Sequence, residues 1–385
     1  MKIVIDKSIF SNGHFLTLEN EEYSWSKSID PEFDLFLDTE KNNTLNKYLN
    51  MYGLESLEFV EEKYRKMMLS VSSSNPPWKK ILPEKVYAQK IDNLHSFLKS
   101  AREVTNNKYS DIFSEGNKIL KNLNRFCPNE DLLKKSIENP TVNKTLQSFT
   151  PQKDGLTSTL KYDRFKTVTG RLVVESGPQV LLLPRDMKTI FKSRYDCGKI
   201  LWIDFVSLEP RLAKLLNSSS TKKDIYNDII DEYKLSYSRK KVKAAVLSTL
   251  FGAGISKLTE IVGKEAVLIK KAIDEYFDLK SILRKTGDFK SGKIENYYGR
   301  PIKLKRNTAN VAINNYIQST GVDVSLYGFS KISEKMPSSF KPLAVVHDAL
   351  VADVNNCDLE EVYRIIKEGI DIPDIGHFYL ECDII

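Results

Sequence analysis

Much that would declare a function is scarce in this 385-residue sequence, and each scarcity removes a class. The four cysteines, Cys127, Cys197, Cys357 and Cys382, are far apart and form no CxxC pair. They suggest neither a zinc site nor a disulfide framework. The four histidines are equally scattered. No run of about 18 apolar residues occurs, so no membrane span is expected. The opening "MKIVIDKSIF" lacks the long apolar core of a signal peptide, and the cytoplasm is the default location. Neither sign of charge dominates. The 58 basic and 51 acidic residues leave a net +7, a mild excess that permits a nucleic-acid partner without requiring one. No internal repeat is visible.

What is present is enough apolar material for a packed interior, 41% of the chain, and a length that suits two or three subdomains. In the first seventy or so residues "KIVID" and "HFLTLE" read as strands, and "LNKYLNMYGLESLEFVEEKYRKMML" reads as helical. "SVSSSNPPWKK", with Pro76 and Pro77, is the best linker candidate. The pattern is then helical to Glu138, clearest in "IDNLHSFLKSAREV" and "IFSEGNKILKNLNRF". A stretch rich in β-branched and turn residues follows, and the remainder alternates strands with helices.

Three segments carry candidate chemistry. In "KPLAVVHDALVADV" (341–354) two short apolar runs flank His347 and Asp348, so a hairpin with Asp348 at its tip is expected. Taken alone, this is also how an ordinary turn reads. In "KILWIDFVSLEPRLAKLLN" a buried strand over 200–203 ends at Asp204, and a helix follows, with Ser207 as N-cap and Pro210 in its first turn. A solvated strand end would look the same. Two such acids on adjacent strands, however, would bind two magnesium ions and clamp a displacement at phosphorus, because hard cations prefer carboxylates. Between the acids lies "SYSRKKVKAAVLSTLFGAG". Arg239, Lys243, Leu247 and Phe251 recur every four residues and share a helical face, while Val242, Val246 and Leu250 form a packing stripe. Gly252 and Gly254 stop the helix. A triphosphate against the cations and a base against the ring would use that whole face. A surface helix with a solvated basic face is the plainer alternative.

Taken together and in order, these segments resemble the palm and fingers motifs of family A DNA polymerases. "DFVSLEPR" resembles the first motif, which implies Asp204 as a metal ligand, the Phe205 carbonyl as a further metal oxygen and Glu209 as the steric gate for the sugar. "RKKVKAAVLSTLFG" resembles the fingers helix, with Arg239 and Lys243 on the incoming triphosphate, Lys243 protonating pyrophosphate, and Phe251 beside the nascent base pair. "VVHDAL" resembles the third motif, with Asp348 as second metal ligand and His347 near the primer end. "TVTGRLVVESGPQVLLLP" resembles the segment whose arginine, here Arg171, touches duplex DNA. "NNYIQSTGVD" places Asn314 and Gln318 at the template-primer. The resemblance covers about residues 161–354. Departures are Leu247 for an aromatic residue, Ala349 for a glutamate, Ser319 for a glycine, Tyr226 for a triphosphate-binding histidine and Asn310 for an arginine. None removes a metal ligand.

The resemblance implies an α/β chain of α+β type with a right-hand architecture. Residues 1–75 would be a small N-terminal region and 76–160 a helical, reduced thumb leading into the palm. The palm would take 161–215 and 301–385, and the fingers 216–300. It implies a DNA-directed DNA polymerase that adds dNTPs to a primer on template DNA, using two Mg²⁺ ions, with Mn²⁺ as a substitute. Asp6 in "VIDKS" has no acid two residues on, so no proofreading is expected. A chain of this kind looks phage-like, placing it in a host cytoplasm, and leaves room for a replisome or processivity partner. A single-subunit RNA polymerase and a non-catalytic DNA-binding accessory protein are the rival readings. Glu209, bulky where a ribose 2′-hydroxyl needs room, speaks against the first.

Overall fold

A computed structural model describes residues 1–40, 43–71, 76–105, 107–137 and 143–385. It divides into two units, Met1–Ser114 and Glu115–Ile385. The division falls inside a helix (Lys108–Lys121) and later than the break expected near residue 75. Part of the expected linker, residues 72–75, lies outside the described residues; Trp78, within the same linker, is buried.

In the first unit, β1 (Ile3–Ile5) is wholly buried and central. It pairs antiparallel with β2 (Phe15–Glu19) and parallel with β4 (Leu35–Leu37), and β3 (Glu22–Ser26) completes the order β3-β2-β1-β4. The β2–β3 hairpin closes on Asn20 and Glu21, both left-handed, as a two-residue turn with the twist of its strands requires. Asp6 follows β1 and accepts a hydrogen bond from the Ser8 amide at 2.7 Å. The single long helix expected over 45–69 is two, α1 (Thr44–Met51) and α2 (Glu62–Val71). Gly53 takes φ of +83° and ends the first. The Asn46 carboxamide then bonds both the amide and the carbonyl of Leu57, so the intervening chain is held by a side chain rather than by a helical ladder. The amphipathic α3 (Glu84–Thr105) forms as its periodicity predicts.

The second unit is built on an antiparallel sheet of β5 (Gly198–Phe205), β6 (Lys341–Val346), β7 (Ala349–Asn355) and β8 (Leu380–Ile384), in the order β6-β7-β5-β8. Strands β6 and β7 are almost entirely buried, which is why their sequences are apolar without alternation. On one face, Ile200 and Val351 pack into a cluster with Phe126, Leu146, Phe149 and Phe191. On the other, Phe205 lies 5.1 Å from Phe329 and 5.9 Å from Phe378, ring to ring. Phe329 belongs to a long helix, Ala309–Lys335. Its Gly328 permits this approach: a Cβ there would meet the Phe205 ring at 2.7 Å.

Four further helices concern the site. They are α4 (Leu208–Leu215), α5 (Ile225–Tyr233), α6 (Arg239–Leu250) and the long helix, α7 (Ala309–Lys335). A polar network seats α7. Asp323, 1% exposed, accepts from Arg164 at 3.0 Å and from Asn296 at 2.7 Å, while Arg164 also donates to Asn117 at 2.7 Å. Buried charge is tolerated only when paired and hydrogen-bonded in this way. The mixed helix-and-antiparallel-sheet class expected from the sequence is the one observed. Among the described residues no helix is long and apolar enough to cross a membrane.

Candidate active site

Strand register brings the first acid into place. Asp204, near the end of β5, stands opposite Ala349 on β7 and opposite Glu381 on β8. Asp348 is next to Ala349, in the two-residue turn that joins β6 to β7. The other turn residue, His347, is exposed and left-handed at φ +58°. That is an uncommon conformation outside glycine, and turns of two residues demand it. The expected hairpin and the convergence of Asp204 with Asp348 are thus both present, and both acids line one cleft with Lys188, Trp202 and Glu381.

The environment of Asp204 is hostile to its charge. Its ionisation is raised to about 7, chiefly by burial and then by repulsion from Asp348 and Glu381, against the opposing backbone hydrogen bond from Phe205 and the charge of Lys243. Its Oδ1 is buried and has no hydrogen-bond partner. An orphaned carboxylate oxygen in a cleft lined by two further carboxylates suits a hard divalent cation by its donors. Among the described residues no three His, Cys, Asp or Glu side chains gather into a ready-made cage.

The turn from β5 into α4 departs from expectation. Ser207 is left-handed (φ 55°, ψ 53°) and makes no capping bond from its side chain. A capping hydroxyl needs extended backbone at that position. Arg211, fully buried, ties the joint instead. It donates to the Val206 carbonyl at 3.2 Å, to Thr221 and to the Lys222 and Lys223 carbonyls, and lies over the Tyr379 ring. Glu209, in the first turn of α4, faces a second cleft with Arg171, Gln318, His347 and Asp348. Burial lifts its ionisation to about 7, although Arg171, 3.6 Å away, pulls it down.

Helix α6 has the two faces its spacing predicts. Val242, Ala245, Val246 and Leu250 are buried, whereas Arg239 and Lys243 are exposed. Both cations lie over Tyr226, at 5.2 and 5.9 Å from its ring centre. Tyr226 is itself 1% exposed, so it forms the floor beneath them. Arg239 also pairs with Asp224 at 2.7 Å, and Asp224 in turn caps α5. Leu247 is half-buried and Phe251 is 44% exposed at the helix end, where Gly252 turns the chain at φ +82°. On α7, Asn314 and Gln318 lie one turn apart, and the Gln318 Oε1 accepts from Thr169 at 2.9 Å. Arg171 is half-exposed.

Three residues escaped the sequence reading. Glu381 and Arg211 are described above; Lys188 lies over Trp202 at 3.4 Å. For Glu381 a signal existed. In "YLECDII" acids alternate with other residues, the mark of a strand with one charged face.

Residues 85–375 match DNA polymerase family A, and the chain belongs to that family, as the ordered motifs implied. Members of the family generally use divalent metal ions. No curated protein matches. Among solved structures the chain is similar to the POL domain of Pol1 from M. smegmatis, determined in complex with DNA primer-template and dNTP. The identity is 17% and the TM-score 0.50, over 66% of this chain and 54% of that one. At that identity the likeness concerns the fold. The chain spans about half the length of the polymerase it matches.

Proposed function

We propose that the chain is a template-directed DNA polymerase that extends a primer 3′ end with dNTPs in DNA replication, in the cytoplasm. The carrying observation is the meeting of Asp204 and Asp348 at adjacent strands of an antiparallel sheet, with a buried, unpartnered oxygen on Asp204. In this reading 161–215 and 301–385 form the palm and 216–300 the fingers. Asp204, Asp348 and the Phe205 carbonyl hold two Mg²⁺ ions, for which Mn²⁺ substitutes. Such ions, when bound, lower the pKa of the attacking hydroxyl and neutralise charge at phosphorus.

The chain's own residues do the rest. Arg239 and Lys243, standing on the Tyr226 ring, neutralise the triphosphate, and Lys243 holds a proton at Nζ for the leaving pyrophosphate. Phe251 offers its exposed ring to the nascent base pair, and Leu247 lies one turn before it on the same face. Glu209 fills the space where a 2′-hydroxyl would stand. Arg171, Asn314, Gln318 and His347 meet the primer-template, the first and third through minor-groove acceptors that every base pair shares. A processivity partner would add effective concentration at the primer.

The deciding experiment is magnesium-dependent primer extension, first with dNTPs and then with rNTPs. Extension with dNTPs is expected. A preference for rNTPs would favour an RNA polymerase, and no extension with either would leave only a DNA-binding accessory role.

A further inference from the structure

Strand β5 offers Asp204 two cross-strand neighbours on the same face. One is Ala349, a methyl group, and the other is Glu381. Directly opposite residues of antiparallel strands have Cβ atoms about 4.5–5.5 Å apart, and like charges so placed destabilise the pair. Glu381 nevertheless makes no ion pair among the described residues, and it lines the same cleft as Asp204 and Asp348. The nearest rival explanation is an edge-strand charge that discourages sheet extension. Such a charge would serve equally well at any outward position of β8. This one stands directly opposite Asp204, whose Oδ1 is buried without a hydrogen-bond partner, and it lines the same cleft.

We infer that Glu381 supplies a third carboxylate to the cations held by Asp204 and Asp348, from the opposite side of β5 to Ala349. The inference rests on the polymerase reading of that site. Glu381 comes from a different strand and is exposed, with a side chain long enough to swing toward the cleft. It reaches the cations directly or through a bound water. The β7 side of Asp204 leaves that task undone, because an alanine has no donor to give.

The test is Mn²⁺ binding followed by electron paramagnetic resonance. The chain is held on a primer-template ending in a dideoxynucleotide, with the matching dNTP present, so no turnover enters the readout. Glu381→Gln is expected to weaken Mn²⁺ binding by about ten- to a hundredfold and to shrink the rise in melting temperature that Mn²⁺ produces. Ala349→Glu in a Glu381→Ala background is expected to restore binding, because it returns a carboxylate to the other flank of Asp204. Asp204→Asn separates the two levels of the argument. If it removes Mn²⁺ binding while Glu381→Gln binds as the parent does, Glu381 is an edge charge only and the inference falls alone. If Asp204→Asn leaves Mn²⁺ binding intact, the site itself has been misread and the inference falls with it.

Discussion

Replacing Asp204 with asparagine should make the metal-free protein more stable while destroying its activity. The carboxyl ionises near 3.8 in an unfolded chain and at about 7 in the folded one, chiefly through burial and then through Asp348 and Glu381. Between those values the folded chain holds a proton that the unfolded chain has released, so stability falls as pH rises through this window. Above pH 7 the full cost of keeping the charge is about 4 kcal/mol. Water in the open cleft screens part of it, leaving about 1–3 kcal/mol for asparagine to recover. Glu209, also lifted to about 7, gives the parent a further slope of the same sign. The assay is thermal unfolding in EDTA from pH 5 to 8.5. The variant should melt several degrees above the parent at pH 8 and close to it at pH 5. Added Mg²⁺ should raise the parent and not the variant, and nucleotide incorporation by the variant should fall by several orders of magnitude. A variant destabilised equally at both ends of the pH range would refute the reasoning, because Asp204 would then be a favourable partner and not a repelled charge.

Glu209→Ala should raise incorporation of rNTPs relative to dNTPs, measured as a ratio of kcat/KM values; an unchanged ratio removes the gate from Glu209. Asp323→Ala strands Arg164 without its buried counter-ion and should cost about 3–5 kcal/mol in urea unfolding, whereas a loss below about 1 kcal/mol would mean the network is not what seats α7. Synthesis by the isolated chain should be distributive and salt-sensitive, since every phosphate the protein neutralises makes log K fall by about 0.9 per log unit of salt. Extension against a heparin trap reads this directly, and hundreds of nucleotides added per encounter would contradict it.

The features legible in the sequence were those written in local spacing. The four-residue recurrence of Arg239, Lys243, Leu247 and Phe251 is a property of one helix, and the apolar runs around His347 and Asp348 are a property of one hairpin. Both could be read without knowing what packs on them. What could not be read depended on distant partners. The break between α1 and α2 is held by Asn46 reaching Leu57. The left-handed backbone at Ser207 accompanies Arg211 clamping carbonyls from another loop. Glu381 gains its meaning only when β8 lies down beside β5 in one register. A slip of one residue would turn that carboxylate to the other face, and no local pattern states which register is chosen.

The strand that carries Asp204 waits a long time for its neighbours. It is made early in the second unit, but both of its partners, residues 349–355 and 380–384, come from that unit's far end. A chain emerging from the ribosome therefore exhibits β5 with two unpaired edges, and pairing so remote in sequence is slow to form. Until β7 and β8 arrive, Asp348 and Glu381 are absent and nothing brings a second carboxylate to the first. On the polymerase reading, competence for metal is thus the last property the fold acquires, and an interrupted or partly folded chain would carry the basic helix proposed to meet the triphosphate without the paired carboxylates proposed to act on it.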